Sequence, residues 1–448
     1  MPASRTPPSV RRISSSLLTI AVGGVLACAP SSPPETAPPP DTARTTAARP
    51  SAAAPVAVSP PPAKRPTPAD TETRARRPAV VIATPPSVDG VARLSARNDT
   101  IAVRSLRAPV RVCAGGDVTL GTNLDTAWTK IASARMRNRF GMRDDPASLL
   151  APLRPLVRES DVLLLNVESA VGSAPTPSKC GPRSTNCFAF RSPPAAAAAL
   201  RALTSGVIVA NIANNHARDA GNDGVDTTIA VLTAAGLRVT GADTIATPVA
   251  TAAGDTIGVL GFYTSADTPD ARDTAAVFRH VARAAQRFPV VIATMHLGAE
   301  GRDAQRTLDR RELYLKIDRG NPVAFADAAV RGGAALVIGH GPHVLRGIEW
   351  RSGGALIAYS LGNLLTYGPF VLKEPLDRGA ILCATLDQRG RVRSASLTPT
   401  MQAAPGVLAR DSSSRAITLV DSLSRLDFPS SGVRAESDGT LRARPRGN

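Results

Sequence analysis

The sequence predicts an α/β domain whose buried strands carry helices on both faces, set behind a leader peptide and a proline-rich tether. Three observations point there. Apolar runs of strand length alternate with helix-period segments from Val110 onward. Hydrophobic residues are 43% of the 448 positions against 20% charged, enough for a large core. Nearly half of the 39 prolines fall in residues 1–88, so that stretch cannot share the core. The expected divisions are a leader over 1–27, a tether over 28–108, the folded domain over 109–400 and a modest appendage over 401–448.

Arg5, Arg11 and Arg12 give the leader a positive opening, and a mostly apolar run from Ile13 to Ala27 follows. That run is about five residues short of a membrane span and fits a secretion signal. Val25-Leu26-Ala27-Cys28 resembles a bacterial lipoprotein cleavage box, which would make Cys28 the lipidated N-terminus; ordinary cleavage after Ala29 is the alternative. Several acyl chains on one Cys give stable membrane attachment. The Pro, Ala, Ser and Thr stretch beyond reads as an extended spacer, rising about 3 Å per residue. The chain is thus expected to be exported and membrane-anchored, in the periplasm or at the cell surface. In such an oxidising compartment Cys180 and Cys187, which bracket CGPRSTNC, are expected to form a local disulfide. Cys113 and Cys383 lie in apolar strand-like runs and read as buried hydrophobes.

Strands are expected at 110–114, 162–167, 207–212, 257–262, 290–295 and 334–338. Helices are expected between them near 146–158, 194–204, 222–235, 275–287 and 322–331. The later runs at 345–350, 355–359, 380–386 and 391–397 are close-set and read as hairpin or meander strands, with one more helix near 415–426. The net charge of +17 suggests a polyanion binder. Yet the folded part has no long basic run and aromatics are only 3%, which argues against nucleic acid as a partner. No G-x-S-x-G elbow, P-loop or G-x-G-x-x-G is present, so serine esterase and nucleotide-binding readings fall away.

Polar residues follow the apolar runs in a telling pattern: Gly115-Gly116-Asp117, Asn166-Val167-Glu168, Asn214-Asn215-His216, His296 through Glu300, and His340-Gly341-Pro342-His343. Taken singly each has a plainer reading: a turn, a cap, a helix start or an interior histidine. Together they fall at the carboxyl ends of strands, where an open α/β sheet binds ligands. Four of the five histidines sit there; His280 does not. Carboxylates, an amide and imidazoles make a mixed oxygen and nitrogen ligand set that suits one or two divalent ions such as Mn, Fe or Zn. Asp117, Glu168, Asn215, His296, His340 and His343 would supply it. Two such ions polarise a phosphoryl or acyl oxygen and acidify a water.

These segments resemble the bacterial CapA family, linked to poly-gamma-glutamate capsules, whose fold is similar to that of calcineurin-like metallophosphoesterases. The motifs are AGGDVTLG (114–121), LNVESAVG (165–172), ANNHARDAG (213–221), MHLGAE (295–300), GHGPHVL (339–345) and AYSLGNLL (358–365), in the family's order. The resemblance implies a metallophosphatase-like multilayer sandwich of mixed β-sheets flanked by helices. It implies Asp117 as first metal ligand, Glu168 or Asn166 as the bridging group, and Asn215, His296, His340 and His343 as further ligands. His216 would protonate a leaving group, oriented by Asp219. Glu300 and Asn363 would line the substrate cleft, Asn363 having a turn-forming role as its alternative. Three departures stand out: Thr119 where the superfamily has a histidine, Gly341 where the family commonly has a third histidine, and Leu297 in place of an aromatic. The first implies one ligand fewer, hence one ion or a weakened second position. The function so implied is metal-dependent hydrolysis or transfer at phosphoester or gamma-glutamyl-type bonds of the envelope. The alternative is a non-catalytic module that binds or exports an anionic polymer.

Overall fold

The computed structural model describes residues 105–121, 126–173, 188–368 and 370–444. The leader, Cys28, the tether up to residue 104, and Cys180 with Cys187 lie outside the described residues. Two mixed sheets organise the domain, one of ten strands and one of six. The larger is centred on Val110–Thr119, Val162–Val167 and Val207–Asn211, all parallel; the smaller on Thr256–Tyr263, Val291–His296 and Ala334–His340, also parallel. Both are extended by antiparallel strands: Arg378–Leu386 and Val392–Ala403 on the larger, Ile348–Trp350 on the smaller.

Strand alternation explains the layers. In the run VLLLNV, Val162 and Leu164 point into one core, while Leu163 and Leu165 point into another. The first core also takes Ile292, Leu336 and Ile338, so it lies between the two sheets. The second packs Leu163 and Leu165 against Leu200 and Leu232 of the helices Ala195–Arg201 and Gly221–Ala234. A third core sets Val291, Ala293 and Val337 against Val277, Val281 and Phe325 of the helices Thr274–Ala285 and Pro322–Arg331. The order is helix, sheet, sheet, helix. A strand covered on both faces reads as a continuous apolar run, which is why these strands were visible in the sequence.

Register then builds the site. Asp117 lies opposite Asn166, and Asn166 opposite Asn211; on its other side Asp117 lies opposite Asn363. Across the smaller sheet Tyr263, His296 and His340 form a second row. Gly115-Gly116 is not a turn: the strand runs through it to Thr119 and changes partner there. A Cβ on Gly116 would sit 1.9 Å from the carbonyl oxygen of Gly362, so only glycine permits this approach.

Three expectations need correction. Cys113 and Cys383 are not separate buried thiols; they face each other in antiparallel register and form a disulfide. The expected division at 400 falls inside the strand Val392–Ala403, and the strands Val407–Arg410, Arg434–Ala435 and Thr440–Arg442 complete the larger sheet. Ala416 and Val420 of the helix Arg415–Asp427 enter the core between the sheets, so this segment is part of the sandwich. Leu106, assigned to the tether, is buried in the same core.

Candidate metal centre

The two rows meet. Asp117, Glu168 and His343 each place one ligand atom within 4.8 Å of the others. His296 Nε2 lies 3.6 Å from Glu168 Oε1, and His343 Nε2 lies 3.8 Å from the same oxygen. His340 Nδ1 lies 3.8 Å from Asp117 Oδ1. These gaps are too long for hydrogen bonds and close to the edges of a coordination shell, where ligands bonded at about 2.1 Å stand roughly 3–3.5 Å apart. Glu168 Oε1, His296 Nε2 and both ring nitrogens of His340 are buried with no hydrogen-bond partner among the described residues. Buried polar atoms are normally paired. A cluster of such atoms facing one another fits a cation, and the donor set fits a divalent one.

Charge points the same way. Burial opposes the Asp117 carboxylate, yet the His343 hydrogen bond and charge, then His340 and the Asn166 amide, hold its pKa below the ordinary value. Glu168 is pushed well above its ordinary value by burial and by the Asp117 charge. Burial drives His296 well below the usual imidazole range and His340 down to about 4, with Asp117 offsetting only part of the latter. Both rings are neutral lone-pair donors. Burial would lower His343 as well, but Glu168, Asp117 and Glu300 raise it to about 10.

Asn166 is placed at the centre but occupied. Its amide nitrogen donates to Asp117 Oδ1 at 2.8 Å and lies 3.3 Å from His296 Nδ1. Its oxygen accepts from Asn211 at 2.9 Å and from Asn214 at 3.1 Å. Its one ligand-capable atom is thus doubly used, and Asn166 spaces the two rows. Asn211 is the residue that sequence reasoning missed; Asn214, marked there as part of the strand-end run, also donates to the Val167 carbonyl. Asn215 lies half-buried in the turn that follows.

His216 Nδ1 sits 2.7 Å from Asp219 Oδ2, which also accepts the Phe190 backbone N–H at 2.6 Å. Glu300 and Asn363 line the cavity over the centre with Glu168, His216 and His343. The Arg319 guanidinium holds Glu300 at 2.6 Å, and the other Glu300 oxygen is 3.9 Å from His343 Nε2. Asn363 donates to the Leu376 carbonyl at 2.9 Å, and its oxygen is 3.1 Å from His343 Nδ1. The backbone of His343 is left-handed (φ 60°), a strained choice for a non-glycine residue that aims the ring inward. Gly341 has φ 106°, and a Cβ there would lie 3.1 Å from His296 Cδ2, so a side chain at this departure would press on the His296 ring. Thr119, the other departure at the centre, donates to the Glu168 carbonyl.

A profile of the family described as bacterial capsule synthesis protein PGA_cap matches residues 111–367, more than half of the chain. The chain belongs to that family. The matched span takes in every residue of the centre from Asp117 to Asn363 and leaves out the C-terminal strands and helix that complete the sheets. Among solved structures the chain is similar to a novel phosphatase from Mycoplasma pneumoniae, with 11% identity and a TM-score of 0.39 over 69% of this chain and 96% of that one. A 5′-nucleotidase precursor from Thermus thermophilus gives 13% identity and a TM-score of 0.34 over 65% of this chain and 54% of that one. A comparison with curated proteins finds no match.

Proposed function

We propose that this capsule synthesis family member is an exported, lipid-anchored hydrolase or transferase that depends on divalent metal and acts on phosphoester or gamma-glutamyl-type bonds in the envelope. The observation that carries it is the group of Asp117, Glu168 and His343 ligand atoms within 4.8 Å of one another, flanked by the buried nitrogens of His296 and His340 that have no hydrogen-bond partner among the described residues. Asp117, Glu168, His296, His340 and His343 would hold Mn, Fe or Zn, as one or two ions. A bound divalent ion would polarise the oxygen of the bond under attack and acidify a water. His216 would give the proton to the leaving group: Asp219 fixes Nδ1, so Nε2 is the nitrogen that meets the substrate. Glu300, braced by Arg319, and Asn363 would contact the substrate. Export is supported by the Cys113–Cys383 disulfide, since such bonds persist in oxidising compartments. Among the described residues no helix is long and apolar enough to cross a membrane, and attachment through Cys28 is the part of the proposal that the leader sequence carries.

Hydrolysis of a generic phosphodiester and of a gamma-glutamyl anilide, assayed across Mn, Fe and Zn, tests the reading. His216→Ala should lower turnover about 100- to 1,000-fold while leaving metal uptake in place. No uptake and no turnover with any divalent ion would end it. The surplus of 53 basic over 36 acidic residues favours a second reading, a non-catalytic module that binds an anionic polymer. Polymer binding that falls with salt and survives His343→Ala would select that reading.

A further inference from the structure

The cavity over the centre measures about 390 Å³ and has two unlike sides. Its floor is Glu168, His216, Glu300 and His343; its wall is Phe188, Phe190, Phe370, Val371, Leu372 and Leu376, and Thr119, Tyr314, Asn363 and Thr366 also line it. Three of the chain's nine phenylalanines are gathered here, in a sequence that is 3% aromatic. Phe188 is 51% exposed and Val371 65%, so the mouth of the cavity shows apolar surface to water. Phe190 ties wall to floor: its ring lies 4.4 Å from that of His216 and 5.0 Å from that of Phe370, while its N–H holds Asp219.

We propose that the bond processed here belongs to an amphiphile. The reacting group, an anionic ester or amide, sits at the Glu168–His343 floor, and an apolar group of ring or short-acyl size lies against Phe188, Phe190, Phe370, Val371 and Leu376. The polar end of this proposal rests on the metal-dependent reading; the apolar end does not. Continuity of the cavity carries it. A substrate whose bond reaches His216 and His343 must place its other atoms in the same space, and that space has room for roughly a dozen waters' volume bounded by rings and branched side chains. Among the described lining residues there is no Lys or Arg to meet further anionic groups. A bare polycarboxylate strand would have to shed water from its charges against phenyl rings, which is unfavourable.

The test is a ladder of n-alkylphosphonates from methyl to octyl, titrated into the full chain with and without Mn²⁺. Affinity is expected to rise about two- to fourfold per methylene until the wall is filled, then level off. Phe370→Ser and, separately, Val371→Ser should flatten the ladder and weaken hexylphosphonate about tenfold, with retained Mn²⁺ uptake as the control for folding. Equal affinity along the ladder in protein that takes up Mn²⁺ overturns the apolar subsite and leaves the metal reading standing. A ladder without Mn²⁺ uptake does the reverse. A ladder unchanged in both variants also overturns the subsite, because the chains are then held elsewhere.

Discussion

The two rows that make the centre are built on opposite terms. On the larger sheet Asn166 bonds to Asp117, Asn211 and Asn214, so the amides of that row are satisfied without any ligand. On the smaller sheet His296 and His340 bring neutral imidazoles whose nitrogens, His296 Nε2 and both of His340, have no hydrogen-bond partner among the described residues. One row pairs its own polar atoms; the other leaves its nitrogens without a partner among the described residues. The lesson is that folding and ligation are supported by different residues at one site, and substitutions should separate them.

The largest effect is expected at Asp117, which touches both rows. Asp117→Asn removes the charge that faces His340 and His343, and should lower Mn²⁺ affinity and turnover about a thousandfold, read by equilibrium dialysis and phosphodiester hydrolysis. The contrast itself is tested by a pair. Asn166→Leu strands the Asn211 and Asn214 amides and an Asp117 oxygen, and should destabilise the cation-free protein by about 3 kcal/mol in urea unfolding, with metal affinity down roughly 10- to 100-fold. His340→Leu removes two unsatisfied nitrogens; stability should stay within about 1 kcal/mol of wild type or rise, while metal affinity falls about 100-fold. Equal destabilisation by both would erase the distinction between the rows.

The smallest effect is a slope. Without a cation His343 keeps its proton up to about pH 10, and Glu168 also holds one above the usual carboxylate range. A divalent ion must displace at least one of these protons, so affinity should climb with pH, about tenfold per unit for each proton released. Calorimetry in buffers of different ionisation enthalpy would count the protons. A flat profile would remove His343 from the ligand set.

The doubly covered strands and their helices were legible because burial on both faces writes an unbroken apolar run, as in Val162–Val167. The helix Thr126–Phe140 was not. Over 129–140 only Ala132 and Met136 are buried, so there is no apolar stripe to read. The strand Asn363–Thr366 was not expected, because its partner, Asp117–Thr119, lies more than two hundred positions away. The Cys113–Cys383 bond was hidden for the same reason, since it depends on the register of Val110–Thr119 against Arg378–Leu386. At the centre, strand-end position marked Asp117, Glu168, His296, His340 and His343. Residue type alone cannot say which lone pairs an amide has already spent, as the Asn166 oxygen's are on Asn211 and Asn214. The apolar wall carried no motif. Phe188, Phe190 and Phe370 are brought together only by the packing of segments far apart in sequence.

The central claim is that carboxylates of one sheet and imidazoles of the other share a divalent ion. Anomalous diffraction from a crystal of the full chain soaked in Mn²⁺ tests it most directly. The account predicts a peak enclosed by Asp117, Glu168, His296, His340 and His343, with Asn166 still bonded to Asn211 and Asn214. An empty centre beside ordered surface Mn²⁺, with the five side chains in place, would contradict it.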